Sequence, residues 1–232
     1  MIRQAARYFL VLLGLLIVMF LAYQGYVLMR LWWWVDHNPT ITAFMQNRLT
    51  VMRETNAQAA LKHQWVPHDA ISKNLKQSII AAEDAKFTDH EGFDWDGIQK
   101  ALEKNQKKGK VVAGGSTISQ QLAKNLFLSG ERNFIRKGEE ALITLMMEHV
   151  MAKERILEIY LNVIEWGQGV FGSEAAARNY YGVSAMQLNA EQAARLAAMV
   201  PRPRYYETHR NAPSLLKRAQ IILARMPQAH LP

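Results

Sequence analysis

Two carboxylates stand side by side in "AAEDAKFTDHEGFDW", residues 81–95, and a histidine follows the first of them by seven positions. Glu83 comes three and four residues after Ile80 and Ile79, so on a helix it continues their apolar face. A carboxylate at an apolar edge is partly stripped of water. Its pKa then rises towards neutrality, which is where a general base is wanted. The same Glu83–Asp84 pair, with Asp89 and His90, offers ligands for a divalent cation, although the dense oxygen spacing of an EF-hand loop is missing. A solvated turn is the third reading, and composition alone favours it. His90 by itself reads as a structural hydrogen-bonding residue.

Two later stretches add different chemistry. "GGSTISQQLAKNLF", residues 114–127, places two glycines before a helix whose start is marked by a capping box, Thr117 with Gln120. Free N–H groups at such a start favour anions. Gln120 and Gln121 add amides, and Lys124 adds a cation. The stretch is not a P-loop, having no Gly-Lys-Ser/Thr, nor a nucleophile elbow, having no glycine two residues after Ser116. In "ERNFIRKGEEALITLMMEH", Arg132, Arg136 and Lys137 precede Glu140. Arg136 and Glu140 are four apart, which on an exposed helix is a pair worth about 0.2–0.5 kcal/mol. The functional alternative is a carboxylate that orders cations around an anionic leaving group. "SLLK", residues 214–217, matches the S-x-x-K of penicillin-binding transpeptidases, but no partner element follows and it reads as helix surface and core.

The elements that must position these groups read as helices. Apolar residues recur at helical spacing from Ile71 through Leu75 and Ile79 to Ala82, with Asp69 as the expected cap. Helices are also expected near 40–54, 96–106, 118–127, 134–151, 153–163, 173–181, 190–200 and 213–226, while strand-like alternation is nearly absent. The soluble part is therefore predicted to be mainly α.

The N-terminus sets the compartment. Residues 8–29, "YFLVLLGLLIVMFLAYQGYVLM", carry no charge over 22 residues. As a helix they reach roughly 33 Å, against a hydrocarbon core of about 30 Å. Arg3 and Arg7 precede the run, and the positive-inside bias puts that end in the cytoplasm. Trp32, Trp33 and Trp34 suit the outer interface. The division expected is a cytoplasmic tail (1–7), a transmembrane signal-anchor (8–30), a connector (31–60) and a catalytic domain (61–228). Lys plus Arg number 28 against 20 Asp plus Glu, a formal charge of +8. A basic surface points to polyanions, but a domain held outside a membrane meets anionic lipid and phosphorylated substrates rather than nucleic acid. The basic and apolar "KKGKVV", residues 107–112, reads either as a contact with lipid headgroups or as a loop. There is no cysteine, so disulfides and thiolate metal sites are excluded.

Taken in order, these segments resemble the glycosyltransferase domain of peptidoglycan polymerases, family 51 of the glycosyltransferases. "EDAKFTDHEG" is similar to its E-D-x-x-F-x-x-H-x-G motif, "GGSTISQQLAKNLF" to G-G-S-T-I-x-Q-Q-x-x-K-N, "RKGEE" to R-K-x-x-E, and "KERILEIYLN" to K-x-x-I-L-E-x-Y-L-N. "GQGVFGSEAAARNYYG" resembles the fifth motif, with Gln168 where arginine is frequent. The resemblance covers roughly residues 60–225 and implies the monofunctional, membrane-anchored type of a Gram-negative envelope, with a lysozyme-like helical fold. It implies lipid II as acceptor and the growing glycan on undecaprenyl diphosphate as donor, joined β-1,4 with inversion.

On that resemblance Glu83 is the base and Glu140 orients the donor-site groups. Lys124, Arg132, Arg136, Lys137 and Lys153 hold the pyrophosphates, and Ser116, Thr117, Gln120, Gln121 and Asn125 shape the cleft. Asp84, Phe87, His90, Gly92, Glu158, Tyr160, Asn162, Gly169 and Gly172 support them. No cofactor is obligatory, and a magnesium or manganese ion shared between pyrophosphate and Asp84 is allowed. Other wall-synthesis proteins are admissible partners. The rival expectations are a lytic enzyme of similar fold and a non-catalytic scaffold.

Overall fold

A computed structural model of the chain describes residues 2–110, 114–128 and 133–232, with Ile2 described by its backbone alone. Arg132 and the Val111–Val112 pair lie outside the described residues. The architecture is mainly α, as the periodicity predicts. The first helix, α1 (Ile2–Asp36), is long and apolar enough to cross a membrane, and its residues 8–22 are exposed. The helix does not break at residue 30. Its last turns bury Val27, Leu31 and Trp34, and Trp34 meets Phe127 with ring centroids 5.3 Å apart. Nearly two thirds of the expected connector is therefore helix: the end of α1 and then α2 (Ala43–Thr55), capped by Thr42.

α3 (Lys73–Glu83) starts later than expected. Asp69 lies in a 3₁₀ turn, His68–Ala70, and Ser72 caps α3 by accepting from the Leu75 N–H at 3.1 Å. Extended backbone at Ile71 separates the two, which leaves Asp69 one turn too early to act. α4 (Trp95–Lys108) ends on the left-handed Gly109. α5 (Ile118–Phe127) begins with the predicted Thr117–Gln120 capping box. α6 (Phe134–Val150) and α7 (Lys153–Val163) follow. α8 (Ser173–Tyr181) stops at Gly182, and α9 (Ala190–Met199) starts with the predicted Asn189–Gln192 box. A short α10 (Pro203–Thr208), absent from the sequence expectation, precedes α11 (Pro213–Arg225).

A small sheet was also not foreseen. β1 (Lys62–His63) pairs parallel with β3 (Val170–Phe171), and β3 pairs antiparallel with β2 (Glu165–Gly167), in the order β1-β3-β2. Strands of two or three residues are too short to show period-two alternation. The core is one contiguous cluster in which Trp166, Tyr160, Phe87, Phe171, Leu75, Ile79 and Leu122 are fully buried. α3 packs on α9 and α11, and α5 on α2, α6 and α7. Those two helices carry Glu83 and Gln121, so the fold fixes both from several sides.

Arg155 of α7 ties the anchor helix to this body. Its Nε donates to the Trp34 carbonyl at 3.0 Å, and its Nη2 to the His37 carbonyl at 2.7 Å and Asn38 Oδ1 at 2.9 Å. α1 has no basic residue in its own last turn, so a cation from another helix satisfies its terminal carbonyls and complements its dipole.

Candidate active site

Glu83 is the last residue of α3, with a side chain 11 % exposed. Its Oε2 accepts from Gln121 Nε2 at 3.0 Å, and its Oε1 accepts from Arg218 Nη2 at 2.9 Å. Gln121 Oε1 in turn accepts from the hydroxyl of the fully buried Tyr160 at 3.0 Å, which fixes the amide's orientation. Four helices thus hold one carboxylate: α3, α5, α7 and α11. Burial pushes the Glu83 carboxyl above the ordinary glutamate range; Gln121 and Arg218 act in the opposite sense and Asp84 adds to the rise. Burial also drives the Tyr160 hydroxyl well above its usual value, so it stays protonated and donating.

Asp84 is buried and points elsewhere. Its Oδ1 accepts from His90 Nε2 at 3.0 Å, and its Oδ2 from the Ile118 N–H at 3.0 Å, a bond to the first residue of α5. A carboxylate at a helix N-terminus satisfies an otherwise unpaired donor and complements the dipole. Asp84 therefore locks α5 to the end of α3, and so sets Glu83 against Gln121. The allowed cation on Asp84 does not fit: its side chain is 2 % exposed and both oxygens already accept hydrogen bonds. The only group of possible metal ligands found among the described residues, His68 with Asp69 and Glu154, is elsewhere.

Several residues expected to touch substrate are spent inside the fold. Thr117 donates to the Gly92 carbonyl at 2.7 Å and caps α5, and Gln120 completes the box. Gly92 has φ of +88°, and a Cβ there would meet Thr144 Cγ2 at 2.8 Å, so the turn after His90 needs glycine. Ser116, just before, is exposed. Lys153 is not brought to Glu83 or Glu140. Its Nζ donates to the buried Glu148 at 2.8 Å and lies 4.7 Å from the Phe87 ring centroid, and Ser119 also donates to Glu148. Lys153 supports α5 from beneath instead. Glu158 pairs with Arg155 at 2.8 Å, and Asn162 bonds both backbone groups of Val66. Gly172 has φ of +83°, and a Cβ there would lie 2.7 Å from the Asn162 carbonyl. The Gly169 carbonyl accepts from the Lys62 N–H at the edge of the small sheet.

An open cleft of about 610 Å³ runs from Gln121 along Lys124 and Asn125 to Arg136, and continues between α2, β2 and the start of α10. Gln121 faces this cleft and also touches Glu83, so the carboxylate stands one side chain from the wall. Glu140 is 3 % exposed, and its two oxygens meet Arg136 Nη1 at 3.2 Å and Lys137 Nζ. Of the cations expected around Glu140, Arg136 and Lys137 meet it from the preceding turn of the same helix, while Arg132 lies outside the described residues. Arg48, Arg202, Arg204, Glu165 and Arg218 are the residues that sequence reasoning missed. Arg48, Arg202 and Arg204 lie outside every quoted motif, Glu165 falls in the gap between the fourth and the fifth, and Arg218 directly follows the "SLLK" stretch assigned to helix surface.

The family model described as Transglycosylase matches residues 49–227. The chain is also similar to proteins named biosynthetic peptidoglycan transglycosylase. That of Dechloromonas aromatica is 63% identical over 221 residues, covering 95% of this chain and 94% of the relative. That of Methylobacillus flagellatus is 62% identical over 218 residues, covering 94% and 95%. That of Herminiimonas arsenicoxydans is 59% identical over 225 residues, covering 97% and 96%.

Proposed function

Because the chain belongs to the transglycosylase family, we propose that its cleft joins glycan donor to glycan acceptor with Glu83 as general base. The protein is a glycosyltransferase that polymerises the strands of peptidoglycan. In our reading the acceptor is lipid II and the donor is the growing strand on undecaprenyl diphosphate. Glu83 takes the proton from the acceptor 4-hydroxyl as that oxygen attacks the donor's anomeric carbon. The anomeric carbon–oxygen bond breaks on the opposite face and its electron pair leaves with the diphosphate, giving inversion. Glu83 then returns the proton to solvent.

The single observation that carries this is the setting of Glu83. It is desolvated enough to be basic, and it is aimed by Gln121, whose side chain also faces the cation-lined cleft. A diphosphate leaves as a stable anion and needs charge stabilisation more than protonation. Lys124 and Arg136 on the cleft wall, with Lys137 beside them, suit that need. Glu140 keeps two cations oriented while leaving the pair of them net positive. Asp84 takes no catalytic role here, and no step is assigned to a metal ion.

The enzyme is placed at the inner membrane with its catalytic body in the periplasm, a reading supported by α1 and by Arg3 and Arg7 before it. The test is polymer formation by the full chain in detergent, supplied separately with lipid II and with finished peptidoglycan. Consumption of lipid II alone supports the reading. Cleavage of finished glycan supports a lytic enzyme, and inertness to both supports a scaffold.

A further inference from the structure

The far end of the cleft carries three arginines and a carboxylate that neither the base nor the leaving-group cations use. Arg48 comes from α2, Glu165 from β2, and Arg202 and Arg204 from the start of α10. Glu165 Oε2 lies 3.4 Å from Arg48 Nε and 3.9 Å from Arg204 Nε. The Glu165 side chain is only 5 % exposed. Among the described residues, its Oε1 is buried without a hydrogen-bond partner. Buried polar atoms in native structures are almost always paired, so a half-satisfied network on a cleft wall marks where another molecule completes it.

Two of the guanidiniums also lie over aromatic rings. Arg48 lies over the Phe44 ring at 4.7 Å, and Arg202 over the Tyr205 ring at 4.6 Å. A planar fork fixed on an aromatic face loses little freedom when it takes a carboxylate by two parallel bonds. Glu165 narrows the ligand further. Beside these cations it adds an acceptor, so a ligand with an N–H donor next to its negative charge satisfies both halves. An amide followed by a carboxylate, the unit at the acidic positions of a peptide, has that pattern.

We propose that this end of the cleft is a subsite for a peptide carboxylate carried by the growing strand. The arginines take the carboxylate, and the Glu165 carboxylate accepts the neighbouring amide N–H. The proposal rests on the reading that the cleft holds the donor strand. It makes the distal wall a reader of the strand's side chains while the reaction proceeds at Glu83.

The test uses the full chain in detergent and two lipid II preparations, one with free stem-peptide carboxylates and one with those carboxylates amidated. Wild type is expected to show a KM about tenfold lower for the acidic substrate, the scale of one good charged contact. Arg204→Gln, at a half-exposed site, and Arg48→Gln should each bring the KM ratio close to one. A wild type indifferent to amidation, or variants that keep the wild-type ratio, overturns the subsite while leaving the polymerase reading intact. Failure of wild type to polymerise either substrate overturns the polymerase reading and the subsite with it.

Discussion

Glu83 and Glu140 are both largely buried carboxylates one side chain behind the wall of one cleft, yet they are held in opposite ways. Glu83 takes its partners from α5 and α11, 38 and 135 residues away, and burial dominates its ionisation. Glu140 takes both of its cations from the preceding turn of its own helix. A group that must gain and lose a proton is tuned by the whole fold. A group that must only keep cations in place is built locally, where a short sequence motif suffices.

The largest expected effect follows from removing the tuned group. Glu83→Gln should lower kcat on lipid II by about 10²–10⁴-fold, the range for a lost general base. The same variant should not be less stable. A carboxyl whose folded pKa is raised binds its proton more tightly when folded, so it withdraws stability as pH climbs from the unfolded pKa to the folded one. Glu83→Gln should therefore match or exceed the wild-type Tm at pH 7, and that advantage should vanish below the ordinary glutamate range. A variant that melts well below wild type at pH 7 would mean that Glu83 serves structure first.

Glu140→Gln comes next, with a loss of about 10–100-fold in kcat/KM, comparable to a misplaced charge-stabilising group. The loss should grow with ionic strength, because cations no longer ordered by a buried partner are screened more easily. Arg218→Gln is expected to lower kcat/KM, the more so the lower the pH. Arg218 opposes the rise in the Glu83 pKa, so removing it should move the acidic limb of the pH–rate profile to higher pH. Arg218→Lys should restore part of the shift, and an unmoved limb in Arg218→Gln would reduce Arg218 to packing. The smallest effect on chemistry belongs to Asp84→Asn. It should cost about 1–3 kcal/mol of stability through the mismatched His90 and Ile118 bonds. Magnesium should not change the size of that defect.

Helix positions were legible because their signals are local. The Thr117–Gln120 and Asn189–Gln192 boxes start α5 and α9 where the residues say they should. Glu83 and the Arg136–Glu140 pair were legible for the same reason, as apolar edge and as i, i+4 spacing. What sequence could not show was which polar residues the fold would consume. Thr117, Gln120 and Asp84 have functional residue types, but helix ends must be satisfied first, and these three satisfy α5. Lys153 was expected among the diphosphate-holding cations, yet Glu148 on the neighbouring helix claims it. Arg218, Arg48 and Glu165 reach the site through tertiary packing, which no short window of sequence records.

The central claim is that burial raises the Glu83 pKa and that this group limits the reaction. The most direct test is the pH dependence of kcat/KM for lipid II polymerisation by wild type, with Glu83→Gln alongside. The structure predicts a rate that falls with decreasing pH through a single acidic limb above the ordinary glutamate range, and residual activity without that limb in the variant. A wild-type rate that stays flat down through the ordinary glutamate range, or a variant that keeps the limb, would contradict it.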